Sequence, residues 1–302
     1  MAGRPALTPT GQRALRAVLA VAEEVGVHVG APVVLHDGSN LLVHLKPAPV
    51  VARVPNVTGA VRAGADWLER EVAVAGHLAR CGAPVVAPAP GVEPGPHDHD
   101  GVPVTLWELA VALPRPVDAH RAGRGLRECH EALADFDGDL PENAMFREAR
   151  AIVAGLAADG TLGPDDAALL ERIGRRLEAR LEALDAPVQA LHGDAHLRNV
   201  VQTARGPLWN DFEDTFRGPR AWDLACLDAW ARVFGNDPEA VAAALDGYGP
   251  LGDPDLLHLM IQTRAYVGAA WTILHAPGRP DGAARVVERL AWLRAGEAET
   301  EV

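Results

Sequence analysis

The chain has 302 residues, a net charge of −13, 48% hydrophobic residues and a mean hydropathy near zero. That is long for one core and comfortable for two lobes. A strongly acidic balance argues against a nucleic-acid partner, and no run of about 18 uncharged apolar residues exists to span a membrane.

Charge is divided unevenly. Residues 1–105 carry 9 acids against 8 Lys/Arg, whereas residues 106–302 carry 32 against 20, a net of −12. Such a field attracts a cationic substrate, and it also serves solubility. Lys46 is the only lysine against 27 arginines, a bias that fits a GC-rich genome. The longest apolar run near the start, Ala17–Ala22, is too short for a secretory signal and ends in Glu23-Glu24. Cys81, Cys129 and Cys226 are odd in number and far apart, as expected of reduced thiols in a cytoplasmic protein.

In chain order, residues 8–26 read as an amphipathic helix with Thr8 or Thr10 as its cap. Three Val/Leu-rich strands follow at 31–36, 41–45 and 50–54, broken by Asp37-Gly38 and by Pro47 and Pro49. Helical spacing returns over 60–80, with Trp67, Leu68, Val72, Val74 and Leu78 as its stripe. Val85-Val86 and 102–107 read as strands, and 91–101 as a solvated loop. From residue 117 the pattern turns helical, over 118–135, 141–158, 165–184, 221–234, 238–247, 253–275 and 281–297. A hairpin at Val200-Val201 and Pro207–Asn210 interrupts the helices. The expected architecture is α+β in two parts. A small N-terminal lobe, 1–105, has an antiparallel sheet and a helix, and a larger, mostly helical lobe covers 106–302.

The informative segment flanks that hairpin. His192-Gly193-Asp194-Ala195-His196-Leu197-Arg198-Asn199 is followed by Asn210-Asp211-Phe212-Glu213. Phosphoryl transfer needs one carboxylate for the attacking hydroxyl, and an Asn and an Asp to hold magnesium against nucleotide phosphates. Asp194 can accept or orient the hydroxyl proton. Asn199 offers a neutral oxygen and Asp211 a charged one, within magnesium's habit of taking only one or two carboxylates.

His-Gly-Asp-x-x-x-x-Asn followed by Asp-Phe resembles the aminoglycoside phosphotransferase and choline kinase family, relatives of the protein kinases. The resemblance implies a two-lobed protein kinase-like fold that uses ATP and magnesium to phosphorylate a hydroxyl of a small molecule. It implies Asp194 as the catalytic carboxylate, Asn199 and Asp211 as metal ligands, and His192 as a structural residue of the loop. His196 and His130 read as packing residues. Trp222-Asp223-Leu224-Ala225 resembles the family element whose aspartate buttresses the catalytic loop, which makes Asp223 structural support. Glu108-Leu109 falls where a linker would pass the adenine, an ordinary strand end being the alternative.

The first lobe departs from the family pattern. Gly38-Ser39-Asn40 makes a short nucleotide loop without the full glycine repeat. Val50-Val51-Ala52-Arg53-Val54 resembles the third kinase strand, with Arg53 where a lysine is usual. Arginine keeps the charge and grips phosphate bidentately, with a different shape. Lys46, the alternative, is expected in a Pro-rich turn. Glu71, three residues from Leu68 on the same helical face, is the expected partner of Arg53.

The expected acceptor is small and, from the acidic second half, cationic, as an aminoglycoside would be. Glu213, Asp214 and Asp228 are its candidate contacts, with Trp230 nearby. Neutral acceptors, GTP in place of ATP, and the oligomeric state stay open. Two alternatives compete. Gly193-Asp194-Ala195-His196 resembles the Gly-Asp-x-His element of metallophosphoesterases, for which His97-Asp98-His99 is a poor second cluster. Arg53 and the short glycine loop leave room for a non-catalytic kinase-fold binding protein.

Overall fold

A computed structural model describes residues 7–56, 62 and 64–300, with the side chains of 298–300 left aside. Residues 60, 61 and 63, at the start of the expected 60–80 helix, lie outside the described residues. The chain divides into two compact units. The first is Met1–Pro116, Phe136–Asp139 and Val201–Glu213; the second is Val117–Asp135, Leu140–Val200 and Asp214–Val302.

In the first unit, helix α1 (Pro9–Glu24) starts on Thr8, whose hydroxyl accepts from Gly11 N at 3.0 Å. Strands β1 (Val29–Asp37), β2 (Asn40–Pro47), β3 (Val50–Pro55), β4 (His97–His99) and β5 (Val102–Glu108) form an antiparallel sheet in the order β1-β2-β3-β5-β4. Ala14, Val18 and Val21 of α1 share one core with Leu41, Val43, Ala52, Val104 and Leu106 of the sheet. That is the outcome of alternating apolar strands covered by an apolar helix stripe. Helix α2 (Asp66–Arg80) buries Trp67, Leu68, Glu71, Val74 and Leu78.

Three local expectations are corrected here. Val85-Val86 makes only an isolated parallel bridge with Trp209, the last residue of β8, so the pairing ends after one residue pair. His97–His99 forms the edge strand β4 rather than a solvated loop, since one face and one edge in water suit alternating polar residues. Lys46 lies in β2, not in a turn.

In the second unit, the helices are α3 (Ala119–Leu133), α4 (Ala144–Ala158), α5 (Pro164–Glu182), α6 (Ala221–Arg232), α7 (Pro238–Tyr248), α8 (Pro254–His275) and α9 (Gly282–Thr300). Helix α8 is buried nearly all round, and α4, α6 and α9 pack on it. Gly123 and Gly247 let α3 and α7 touch backbone to backbone, each facing a carbonyl of the other helix (Ala244 and His120) where a Cβ has no room. Short strands β6 (Gln189–Ala190) and β9 (Arg217–Gly218) pair antiparallel and bracket the loop that carries Asp194. Between them in sequence, β7 (Val200–Thr203) and β8 (Gly206–Trp209) form the hairpin, which belongs to the first unit from Val201 onward. All three cysteines are free; burial pushes the Cys129 and Cys226 thiols up, leaving both unreactive.

Candidate active site

Two groups of candidate residues are present, one in each unit. In the first unit the chain after β8 is anchored by Val86 N to Trp209 O and Trp209 N to Pro84 O, both at 2.8 Å. Two residues on, Asp211 takes a left-handed backbone (φ 68°) and turns its carboxylate toward Arg53. Arg53 projects from β3 and is 5% exposed, so its charge requires partners. One terminal nitrogen (Nη1) donates to both oxygens of Glu71 on α2. The other (Nη2) donates to Asp211 Oδ1 at 2.7 Å and to Glu213 Oε2. With its amide oxygen turned inward, Asn40 accepts from Arg53 Nε at 3.3 Å and Nη2 at 3.0 Å. Burial alone would lower the guanidinium; the fields of Glu71, Asp211 and Glu213 more than offset it and hold it above its ordinary value.

Gly38 and Ser39 form the β1–β2 tip, held by Asn56, whose N–H donates to Ser39 O at 2.8 Å and whose amide donates to Gly38 O at 3.2 Å. Asn40 is buried in the Arg53 cluster instead of facing outward from the tip. The N–H groups of Glu108 and Leu109 are taken by Ala87 O and Pro49 O, both at 2.9 Å. The Glu108 carboxylate accepts from Arg205 at 2.6 Å.

In the second unit, Asp223 on α6 is fully buried and holds the Asp194 loop from below. Its Oδ2 accepts from His192 N at 2.8 Å and its Oδ1 from Gly193 N at 2.9 Å. His130 of α3 bonds Asp223 at 2.8 Å and Tyr248 at 2.9 Å. Trp222 Nε1 donates to Gly193 O at 2.7 Å. Gly193 has φ +90°, and a Cβ there would overlap the Asp214 carbonyl. Gly193→Ala is expected to destabilise by about 3 kcal/mol or more, from strain and overpacking together. Thermal unfolding should place its Tm well below that of the wild type, and equal Tm values would contradict this packing.

Asp194 is the focus of this loop. Its Oδ1 accepts from Arg264 Nη2 at 2.6 Å, and its Oδ2 lies 3.2 Å from His196 Nε2. Burial would push the carboxyl up; His196 and Arg264 outweigh that and hold it far below the usual carboxylate range. Asn199 donates its amide to the Asp194 carbonyl at 2.9 Å, which leaves the amide oxygen as its acceptor side. One neutral oxygen here, and one carboxylate at Asp211 in the first unit, are donors of the kind magnesium takes. His196 stacks on Trp230 at 4.3 Å between ring centroids.

Arg264 was not anticipated from the sequence. It lies on α8, stacks over Phe234 at 5.3 Å, and feels the charge of Asp214 as well as Asp194. Arg264→Met should cost about 10²-fold in kcat through misplacement of Asp194. Arg264→Lys should fall between the two. Steady-state kinetics on folded variants check this, and an unchanged kcat in Arg264→Met would contradict it.

The candidate acceptor contacts all face arginines. Glu213 meets Arg53, Asp214 lies in the field of Arg264, and Asp228 accepts from Arg232 one helical turn away at 2.9 Å.

A model of the phosphotransferase enzyme family matches residues 61–259. Among solved structures, an amicoumacin kinase in complex with AMP-PNP, Ca2+ and Ami is similar, with TM-score 0.70, 12% identity and 96% of each chain covered. A choline/ethanolamine kinase family protein from Mesorhizobium loti gives TM-score 0.64 and 19% identity over 94% of each chain. Aminoglycoside 2'-phosphotransferase-IIIa with GDP gives TM-score 0.64 and 13% identity, over 95% of this chain and 100% of that one. At these identities the likeness is one of fold: the two-lobed, protein kinase-like α+β fold. No curated protein sequence matches.

Proposed function

As a member of the phosphotransferase enzyme family the chain is a phosphotransferase with an alcohol group as acceptor, and from that premise we propose that it is a small-molecule kinase using ATP, or GTP, and magnesium. The observation that carries the proposal is the buried cation Arg53, held by Glu71 and joined by Asp211 within one unit. A buried guanidinium with more carboxylates than it can neutralise has room for a ligand that brings phosphate and a divalent ion together. The complexes of similar fold that hold AMP-PNP or GDP support a nucleotide here.

In this reading Arg53 meets the nucleotide phosphates, and Glu71 fixes its fork. Asp211 and Asn199 are the residues that would hold magnesium, which would supply positive charge against the transferring phosphates. Asp194 orients the acceptor hydroxyl and takes its proton as the new oxygen–phosphorus bond forms and the bond to the leaving diphosphate breaks. Held low by Arg264 and His196, Asp194 is a weak base, so its main work is orientation. The Asp223 carboxylate, accepting from the His192 and Gly193 N–H groups, keeps the loop fixed while this happens.

For the acceptor we propose a small, hydroxyl-bearing molecule that carries amines. Support comes from the net charge of −12 over residues 106–302, not from local contacts. With its nearest carboxylates already facing arginines, recognition by charge acts at long range and weakens with salt. A panel of polyamino sugars and neutral sugars should show an amine preference in kcat/KM that shrinks as ionic strength rises. Preference for a neutral sugar would overturn this part.

Thermal unfolding with Mg·ATP and Mg·GTP tests nucleotide use. A nucleotide present at 100 times its Kd should stabilise the chain by about 2.7 kcal/mol. No shift with either nucleotide, together with no turnover across the panel, would favour a non-catalytic binding protein.

A further inference from the structure

Arg264 holds the Asp194 carboxylate through one terminal nitrogen, and a single hydrogen bond does not fix a planar guanidinium. Its Nε has no hydrogen-bond partner among the described residues. Besides Asp194 it meets the Cys226 thiol, which burial keeps neutral, and the Phe234 ring at 5.3 Å. The ring is therefore a restraint on the group that orients the candidate carboxylate.

Phe234 is itself firmly seated. Its backbone follows the last turn of α6, where the N–H groups of Val233 and Phe234 donate to Ala229 O at 2.9 and 3.0 Å. The Asn236 amide donates to Trp230 O at 3.1 Å and to Phe234 O at 3.3 Å. The ring fills the space that a side chain at Gly268 would take, and Gly268 lies about one turn beyond Arg264 on α8. Arg289 of α9 lies over the same ring at 4.7 Å and donates to Val233 O. Arg289 is 7% exposed, and its partners among the described residues are that carbonyl and that ring, not a carboxylate. Burial pushes its guanidinium below its ordinary value, whereas at Arg264 the field of Asp194 outweighs burial. A charge buried without an ion pair is costly, and contact with an aromatic face offsets part of that cost.

We propose that Phe234 is a positioning residue for phosphoryl transfer. Its ring, seated by Arg289 and by the gap at Gly268, holds the Arg264 guanidinium in the orientation that sets the Asp194 carboxylate for the acceptor hydroxyl. Helix α9 thereby takes part in the site through two side chains. The proposal rests on the reading of Asp194 as the group that orients the acceptor.

A double-mutant cycle on the full chain tests it. Phe234→Leu stays apolar and removes the ring. It should lower kcat about tenfold and leave KM for Mg·ATP within about twofold, because the cation–π contact and the placement it gives are both lost. In the Arg264→Met background the same substitution should change kcat by less than about twofold, since its effect runs through Arg264. A ring that only fills space would cost the same in both backgrounds, and that result would overturn the proposal. Arg289→Met removes the seat and keeps the ring, so it answers the same question where Phe234→Leu does not fold. It should lower kcat about threefold, again only while Arg264 is present. Wild-type kcat in either single variant would overturn the proposal. Thermal unfolding of the same proteins needs no turnover: the Tm losses of Phe234→Leu and Arg264→Met should be less than additive in the double variant. Strictly additive losses would overturn the contact. No turnover by the wild type would overturn the reading of Asp194 and the positioning role with it, while less-than-additive Tm losses would keep the contact.

Discussion

Asp194→Ala is expected to lower phosphoryl transfer by about 10²–10⁴-fold while Mg·nucleotide binding stays close to wild type. The split follows from where the parts are housed. Asp194 belongs to the second unit, whereas Arg53, Glu71 and Asp211 form their cluster inside the first. The Asn199 amide donates to the backbone carbonyl of residue 194, a bond that alanine keeps. The loop is held by Asp223 through backbone N–H groups that the substitution does not touch. Removing the carboxylate also takes from Arg264 the carboxylate it donates to, so folding should be checked by thermal unfolding beside the kinetics. Turnover within a few fold of wild type would remove Asp194 from the chemistry. A matching loss of nucleotide affinity would mean the two groups are not separable.

Arg53→Met carries the largest expected cost in stability, about 3–5 kcal/mol. Glu71 is 1% exposed and would be left buried without its cation, with Asp211 and Glu213 as like-charged neighbours. Arg53→Lys keeps a charge but not the fork that serves Glu71 with one nitrogen and Asp211 and Glu213 with the other. Its cost should be roughly half that of methionine. Replacing Glu71 together with Arg53 by apolar residues should recover much of the loss, because the unpaired buried charge goes with it. Urea unfolding of the three variants checks the order. Arg53→Met within about 0.5 kcal/mol of wild type would show that the cluster is not what holds this unit's charge balance.

Much of this was legible in the chain. Glu71 could be found because helical spacing puts it beside Leu68 and faces it inward. The strands and helices followed from Val/Leu runs, Gly and Pro breaks and a 3.6-residue stripe. What escaped has physical reasons. Arg264 lies 70 residues from Asp194, on a helix so apolar that periodicity singles out no face. The available signal was the arginine itself, a charge in an otherwise buried helix that requires a partner. Asp228 and Arg232 are four apart on α6, a spacing that alone offers the pair and takes Asp228 out of easy reach of an acceptor. Asn40 read as a loop donor because nothing local told that β2 begins there and turns its amide to Arg53. Val85-Val86 has strand composition but meets only the last residue of β8, and composition says nothing of how far a partner runs alongside.

The most direct test of the central claim is transfer of label from γ-³²P-ATP and γ-³²P-GTP to a panel of hydroxyl-bearing small molecules, with magnesium, for the wild type and Asp194→Ala side by side. Label in at least one acceptor with the wild type, and none above background with the variant, is the predicted result. Equal labelling by both proteins, or none by the wild type with either nucleotide across the panel, would contradict it.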